Sequence, residues 1–361
     1  MGARAFLFDQ ENPYTEESAI KVQKEIYGHP AEKDEYPYRL DTPFYILIFY
    51  FPFAFIENFD LARAFWMSFA EIALFGVGFL SIHLAKWKIS RRNLILFFTA
   101  LFLSFYGLQP LILSSNAIFK ALFLLLALFA LQEKWDEILA ILLVFGITYL
   151  ERGGLVFILI FFILITSRHW RVFSMLGMSV IALVGFSLII YPDWLLPFAN
   201  ALLANLRATQ GILFSETLQI WLPDKGNLIA QIIKWVAIFI LALEWIAVRG
   251  RLSQHVFWVA GLSLAITPFL GFHITSDIYP FLFFPLALVF KTAQDRWDGT
   301  EWGISLVLTL LIASWVIYLR VPRAPEILPY LFPLLLIFSL YWMRWWIIRP
   351  PRTWADKVMR K

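Results

Sequence analysis

The sequence contains no cysteine and little histidine. Without cysteine the protein has no disulfide bonds, thiol nucleophile, zinc–thiolate site or iron–sulfur cluster. The five histidines are scattered, and no two are four residues apart, so the sequence offers no helical His pair for zinc: His29, His83, His169, His255 and His273. The net charge of +4 does not indicate nucleic acid as a partner. We expect no cofactor, although a divalent metal remains possible at acidic side chains.

Charged residues are also scarce, and apolar residues take their place. They make up 16% of the chain, against roughly 25% in soluble domains, while 60% of the residues are hydrophobic. Long apolar runs recur from Leu61 to Ile348. The sequence therefore predicts an all-α, polytopic membrane protein with about 11 transmembrane helices over residues 61–348, several of them short.

Basic residues predict how these helices are oriented. Lys and Arg are dense in four segments, which we expect to share the cytoplasmic side: residues 85–92, 167–171, 249–251 and the tail 349–361. Each predicted helix crosses the membrane once, so counting the crossings back from the cytoplasmic tail places the residues before Leu61 on the external side. Residues 42–59 form a short apolar run that contains Pro52, so we expect a juxtamembrane element rather than a crossing. Residues 1–60 are then an external loop, and the protein is predicted to lie in a bacterial inner membrane.

Several polar turns fall on the predicted external side. They are residues 107–116, which include the turn Gly107–Pro110, and residues 151–154, 192–227 and 273–279. Neighbouring apolar runs have only about 11 to 14 residues, and helices this short are stable at membrane depth where their ends line a protein-walled or watery cavity. Residues 192–227 read as an amphipathic helix on the membrane surface. We therefore expect an external cavity.

Charged residues within or beside apolar runs are the candidate ligand contacts. Glu151 and Arg152 interrupt an apolar stretch, and a guanidinium binds phosphate through two hydrogen bonds; a plain external loop turned by Gly153 is the alternative. Lys120, one turn after Asn116, contacts a ligand or extends to the membrane interface. Asp277 suits sugar hydroxyls or phosphate, and equally suits an ordinary polar turn. Arg207 is a further candidate phosphate contact.

The polar head, residues 1–41, is net negative, with nine acidic and five basic residues. Thr15 and the residues after it predict a helix start before the amphipathic stretch 16–27. Asp9 and Glu11 are candidates for a general base, and a solvated acidic loop is the alternative. Glu244 lies one turn from Arg249, and we expect it to reach the cytoplasmic interface.

Short motifs give the chain a family resemblance. Asn12-Pro13-Tyr14 is followed by a helical stretch, by Tyr36-Pro37-Tyr38 and by LARAFWMSFAEIALF. This order resembles the polyprenol-phosphate-mannose-dependent mannosyltransferases (glycosyltransferase family 87, domain of unknown function 2029, glycosyltransferase-C superfamily), which show D-P-Y, Y-P-P and A-x-x-x-W motifs. The segments FYGLQPLILSSNAIFK and HITSDIYPFLFFPLALVF are similar to later parts of the same family.

The resemblance implies a multi-pass hexosyltransferase that moves a sugar, mannose in the family, from a polyprenyl-phosphate donor to an external glycan or lipid acceptor. The chain also departs from the family. Asn12 replaces the Asp of D-P-Y, Tyr38 replaces the second Pro of Y-P-P, and Arg152 falls near the family's Lys. The family's first helix and the Asp expected as catalytic base would precede Met1, which implies an N-terminally truncated or a degenerate member.

The residues themselves leave other functions open. A lipid or solute transporter and a non-catalytic membrane protein are alternatives from other classes, and a truncated, inactive fragment is a third. A transporter would be expected to show two repeated halves, and residues 192–227 share no motif with the polar head. The sequence therefore favours the enzyme.

Overall fold

A computed structural model describes residues 2–32, 35–146, 149–207, 211–250 and 254–348. Within these ranges the chain is helical, and the only β pairing is an isolated bridge between Ile212 and Ile274. The α-helices, in chain order, are α1 (Gly2–Leu7), α2 (Glu16–Tyr27), α3 (Phe44–Leu47), α4 (Phe51–Ala54), α5 (Phe59–Ala85), α6 (Arg91–Leu103), α7 (Phe105–Ile112), α8 (Ala117–Glu133), α9 (Asp136–Gly146), α10 (Gly154–Thr166), α11 (Trp170–Ile190), α12 (Leu195–Arg207), α13 (Phe214–Trp221), α14 (Gly226–Ala247), α15 (Gln254–Ile266), α16 (Phe283–Arg296), α17 (Thr300–Ile312), α18 (Ser314–Arg320) and α19 (Ala324–Ile348). The all-α prediction is confirmed for these ranges.

The chain divides into two units. The first unit comprises Met1–Phe69 and Ser174–Gly211, and the second unit comprises Ala70–Phe173 and Ile212–Lys361. The segment predicted as one amphipathic loop, residues 192–227, is therefore shared between them: α12 belongs to the first unit and α13 to the second. The predicted cytoplasmic tail, residues 349–361, lies outside the described residues.

The first unit is organised around aromatic side chains. Thr15 caps α2, its hydroxyl accepting a hydrogen bond from the backbone N–H of Ser18, so the predicted helix start is confirmed. The helix ends at Gly28, which has φ +81. Residues 44–54 form consecutive short helical segments, together shorter than the helices that could span a membrane, and their juxtamembrane placement remains a prediction. Tyr14, Phe44 and Trp194 pack together in the buried core of this unit.

Within the described ranges, five helices are long and apolar enough to cross a membrane, or six if the bent pair α6 and α7 forms one span. They are Phe59–Ala85, Trp170–Ile190, Gly226–Ala247, Thr300–Arg320 and Ala324–Ile347. These helices support a helical membrane protein. The total of eleven crossings and the glycosyltransferase-C architecture remain predictions.

The buried helix α15 and the break before α7 show how the fold treats two segments of the apolar region. α15 is buried along almost its whole length, packed against α16 and α19, so its apolar residues face protein on every side. The predicted turn at Gly107–Pro110 is wrong: these residues lie inside α7, and the chain bends by 43° at Ser104 instead. The Ser104 hydroxyl accepts from the Gly107 N–H and caps the new helix there.

Candidate functional site

A tight turn between α9 and α10 presents the two charges that the sequence singled out. Leu150–Arg152 is one turn of 3-10 helix, and the Tyr149 carbonyl accepts from the N–H groups of both Arg152 and Gly154. Gly153 closes the turn at φ +89, where a Cβ would lie 2.6 Å from the Phe281 ring. Both the backbone angle and the close ring require glycine at this position.

Arg152 is held by two carboxylates. Its Nη1 lies 3.1 Å from Oδ2 of Asp277, and its Nε lies 3.8 Å from Oε1 of Glu151. The guanidinium also lies 5.3 Å from the centre of the Tyr149 ring. The Arg152 and Asp277 side chains are only 19% and 16% exposed, so this is a largely desolvated ion pair rather than a solvated surface contact.

Asp277 joins a third part of the chain to this pair. Its Oδ1 accepts a hydrogen bond of 2.6 Å from the Ser115 hydroxyl, which itself accepts from the Ala117 N–H at the start of α8. Thr275 caps the 3-10 segment Ser276–Leu282 by accepting from the Asp277 N–H. The structure thus brings Asp277 together with Ser115 and Arg152, both of which lie more than 100 residues earlier in the chain. We call these three residues and Glu151 the polar cluster.

Lys120 lies on the helix that supplies Ser115. It is half-buried, and its Nζ donates to the Phe145 carbonyl at 3.2 Å, near the end of α9. α8 packs against both α9 and Ser276–Leu282, so its first turns lie beside the segment that carries Asp277. Asn116 occupies the N-cap position of α8 but makes no side-chain capping bond. Two cations of the second unit, Lys120 and Arg152, therefore lie on elements packed around the same segment.

Burial raises the pKa of the Glu151 carboxyl. The local backbone hydrogen bond and the Arg152 charge act in the opposite direction, Asp277 adds to the rise, and His273 opposes it. Glu151 is thus the carboxyl of the polar cluster whose protonated form the fold favours. A proton acceptor works best when its pKa approaches the working pH, so this shift suits proton transfer.

The remaining predicted site residues lie in the first unit. Arg207 is exposed at the end of α12. Asp9 and Glu11 both approach Lys21, with Nζ–O distances of 3.6 and 2.7 Å, and all three side chains are well exposed. These acids thus form a solvated ion pair, the alternative considered from the sequence.

The residues of the short motifs support the first unit's structure. Asn12 accepts from the Tyr14 N–H, Pro13 is buried, and the Tyr14 hydroxyl donates to the Thr42 carbonyl at 2.9 Å. The Pro37 carbonyl accepts from Gln23, and the Tyr36 carbonyl from Tyr27. These contacts tie the polar head to itself and to the start of the juxtamembrane segment.

Two features were not predicted. Ser115 was not among the predicted site residues, because nothing in the sequence distinguishes a serine that binds a carboxylate from any other serine in a polar turn. Glu244 is 2% exposed, 2.6 Å from Arg344 Nε and 3.3 Å from His255 Nε2. These partners lie on α19 and α15, and the nearby Arg249 gave no sign of them; the place of Glu244 at the cytoplasmic interface stays a prediction.

The described part of the chain was compared with metal-site geometry, and the sequence and fold with known proteins. Across the residues that the structure describes, no three or more His, Asp or Glu side chains are grouped so as to hold a metal ion. The polar cluster itself contributes two carboxylates, and Arg152 already lies against both. No family model matches the sequence, and neither the curated proteins nor the solved structures that were searched include a match, so the mannosyltransferase resemblance stays a prediction.

Proposed function

We propose that this chain is a membrane-embedded glycosyltransferase that transfers a hexose, mannose by the resemblance, from a polyprenyl-phosphate donor to an external glycan or lipid acceptor. The observation that carries the proposal is the polar cluster of Arg152, Asp277, Ser115 and Glu151, largely buried among predominantly apolar helices. Partly buried charges among apolar helices are costly, and they usually mark a ligand site. We also propose that the protein lies in a bacterial inner membrane with the polar cluster on the external side, as the sequence predicts.

The donor's chemistry matches the surroundings of the cluster. A polyprenyl tail partitions into the hydrocarbon region, and its phosphate requires cations at membrane depth. Arg152 presents a planar guanidinium suited to phosphate oxygens, and Lys120 adds a point charge from the adjoining helix. Asp277, held by the Ser115 hydroxyl, orients the guanidinium from one side.

In the proposed reaction an acceptor hydroxyl attacks the anomeric carbon of the donor sugar. The bond from that carbon to the phosphate oxygen breaks, and polyprenyl phosphate leaves with the electron pair. Arg152 and Lys120 stabilise the charge that develops on the leaving phosphate. Glu151, whose pKa is raised by burial, accepts the proton of the acceptor hydroxyl.

Donor binding tests the first half of this proposal. The purified protein is cross-linked to a photoreactive polyprenyl phosphate, with unlabelled polyprenyl phosphate as competitor. We expect Arg152→Gln to weaken labelling about tenfold or more, as for loss of a charge-assisted contact. Arg171→Gln is the matched control, because Arg171 is an exposed arginine of the same unit and pairs with Glu137. Equal labelling of both variants would contradict the phosphate site.

Variants of the acids test the second half. We expect Glu151→Gln to retain donor binding and lose sugar transfer. Asp9→Asn and Glu11→Gln should change neither, because both acids are solvated and paired with Lys21. Transfer that survives Glu151→Gln but is lost in Asp9→Asn would move the base to the polar head. Movement of solute without sugar transfer would favour the transporter instead.

A further inference from the structure

A second charged region of the second unit is separate from the polar cluster. A cleft of about 540 Å³ opens between the end of α5, the connection to α6 and the end of α8. The side chains that bear on its chemistry are Phe79, His83, Lys86, Lys88, Gln132 and Glu133. We propose that this cleft binds the headgroup of an anionic glycerophospholipid, and that the lipid's acyl chain lies along the outer face of α5.

The two lysines are presented by a firmly anchored connection. Trp87 between them is buried, and its indole N–H donates to Gln294 Oε1 at 2.7 Å, while Gln294 Nε2 donates to the Lys88 carbonyl at 3.1 Å. Lys86 has φ +56 and ends α5, its N–H bonded to the His83 carbonyl. Both lysine side chains are exposed. The backbone is therefore fixed, and the cationic ends are directed away from the packed core.

Charge in the cleft favours an anion. Among the described residues that line the cleft, Lys86 and Lys88 are accompanied by one carboxylate, that of Glu133, and Gln132 Nε2 donates to one of its oxygens at 3.0 Å. The carbonyl end of α5 contributes partial negative charge, but the N–H groups of Lys86 and Trp87 bond to carbonyls of its last turn. Two full positive charges thus exceed the negative charge nearby, which suits a phosphodiester.

An exposed apolar row leads into the same cleft and distinguishes a lipid from a soluble anion. Ile72, Phe75 and Phe79 are 69%, 53% and 59% exposed, and their spacing places them on one face of α5 with His83. The His83 ring stacks on Phe79, with centroids 6.3 Å apart, and the Phe129 ring meets its edge at 5.3 Å. An acyl chain can cover this row while the phosphate reaches Lys86 and Lys88. A free phosphate would gain nothing from it.

The surroundings match the depth of lipid headgroups. α8 ends in the same way as α5, with a lysine of positive φ followed by tryptophan: Lys134 has φ +60, and Trp135 is 46% exposed. Tryptophan and lysine concentrate where the hydrocarbon region of a membrane meets its headgroups. Because Gln132 and Glu133 line the cleft with the end of α5, both helix ends flank one headgroup site.

Native mass spectrometry of the full-length protein in neutral detergent tests the proposal. We compare phosphatidylglycerol, phosphatidylcholine with the same acyl chains, and inorganic phosphate. We expect phosphatidylglycerol to bind most tightly, and Lys86→Asn with Lys88→Gln to weaken it about twentyfold, as for the loss of two surface cations. Asparagine is chosen at position 86 because it tolerates positive φ.

The matched control is Arg168→Asn with Arg323→Asn. Both residues are exposed cations of positive φ at helix ends, outside the cleft, and their removal changes the net charge equally. Binding within about twofold of the unaltered protein is expected. An equal loss of phosphatidylglycerol binding in both double variants would show that only the net charge of the protein matters, and it would overturn the site. Inorganic phosphate that binds as tightly as the lipid would overturn the lipid as occupant.

A photoreactive lipid gives a readout that needs no variant. Phosphatidylglycerol with a diazirine near the middle of one acyl chain should label the peptide containing Ile72 and Phe75 in the unaltered protein. Excess unlabelled phosphatidylglycerol should abolish that labelling, and phosphatidylcholine should not. Labelling spread evenly over the exposed apolar helices, or displaced equally by both lipids, would refute a specific site on α5.

Discussion

The ion pair between Arg152 and Asp277 allows a quantitative test of the polar cluster. Arg152→Gln leaves Asp277 with the Ser115 hydroxyl, and Asp277→Asn leaves Arg152 with the more distant Glu151. Breaking a fully buried pair costs roughly 3 to 5 kcal/mol, and an exposed pair contributes roughly 0 to 1 kcal/mol. These side chains are 19% and 16% exposed, so we expect each single change to destabilise the fold by about 2 kcal/mol.

A double-mutant cycle isolates the interaction itself. The two single variants and Arg152→Gln with Asp277→Asn are unfolded reversibly in mixed micelles, and the free energy of unfolding is followed by tryptophan fluorescence. We expect a coupling energy of about 1 to 2 kcal/mol. The same cycle on the exposed pair Arg171 and Glu137 should give at most about 0.5 kcal/mol. A coupling for Arg152 and Asp277 no larger than that of the exposed pair would refute the cluster as a preorganised site.

Three further predictions concern single residues. Because burial raises the pKa of Glu151, the ionised carboxylate destabilises the folded protein, and Glu151→Gln should raise the melting temperature at pH 7. The difference in melting temperature between the variant and the unaltered protein should vanish as the pH falls below the ordinary carboxyl pKa. Gly153→Ala should lower the free energy of unfolding by about 1 to 3 kcal/mol in the same assay, since φ is +89 and Phe281 crowds the Cβ. Glu244→Gln should cost about 3 kcal/mol by leaving Arg344 without its buried carboxylate, and Arg344→Gln should cost a similar amount. An unchanged melting temperature or unfolding free energy in any of these variants would contradict the corresponding contact.

The apolar runs predicted the long helices because composition and length decide membrane helices almost by themselves. α5, α11, α14 and α19 are among the helices long and apolar enough to span a membrane, as the apolar composition of residues 61–348 predicted, and Thr15 marked the start of α2 through its capping hydroxyl. Turn signals were less reliable. Gly107 and Pro110 predicted a turn, but the Ser104 cap determined the break and Pro110 was accommodated inside α7.

Long-range pairing could not be predicted from the sequence. Arg152 and Asp277 were each candidates, yet nothing in the sequence showed that they meet, or that Ser115 joins them. Glu244 shows the same limit, because its partner Arg344 is 100 residues away. A local pattern identifies which side chains are costly to bury. Only the packing of distant helices shows which partners offset that cost.

Sugar transfer tests the central proposal most directly. Membranes containing the protein are incubated with polyprenyl-phosphate mannose labelled in the sugar, and label in the glycan and lipid fractions is measured for the unaltered protein, Arg152→Gln and the control Arg171→Gln. We expect transfer with the unaltered protein and with the control. We expect Arg152→Gln to lose at least a hundredfold in rate, since a protein hydrogen-bond donor that stabilises transition-state charge contributes roughly 10²–10³ in rate. Transfer that is undiminished in Arg152→Gln, or absent from all three, would contradict the proposed glycosyltransferase.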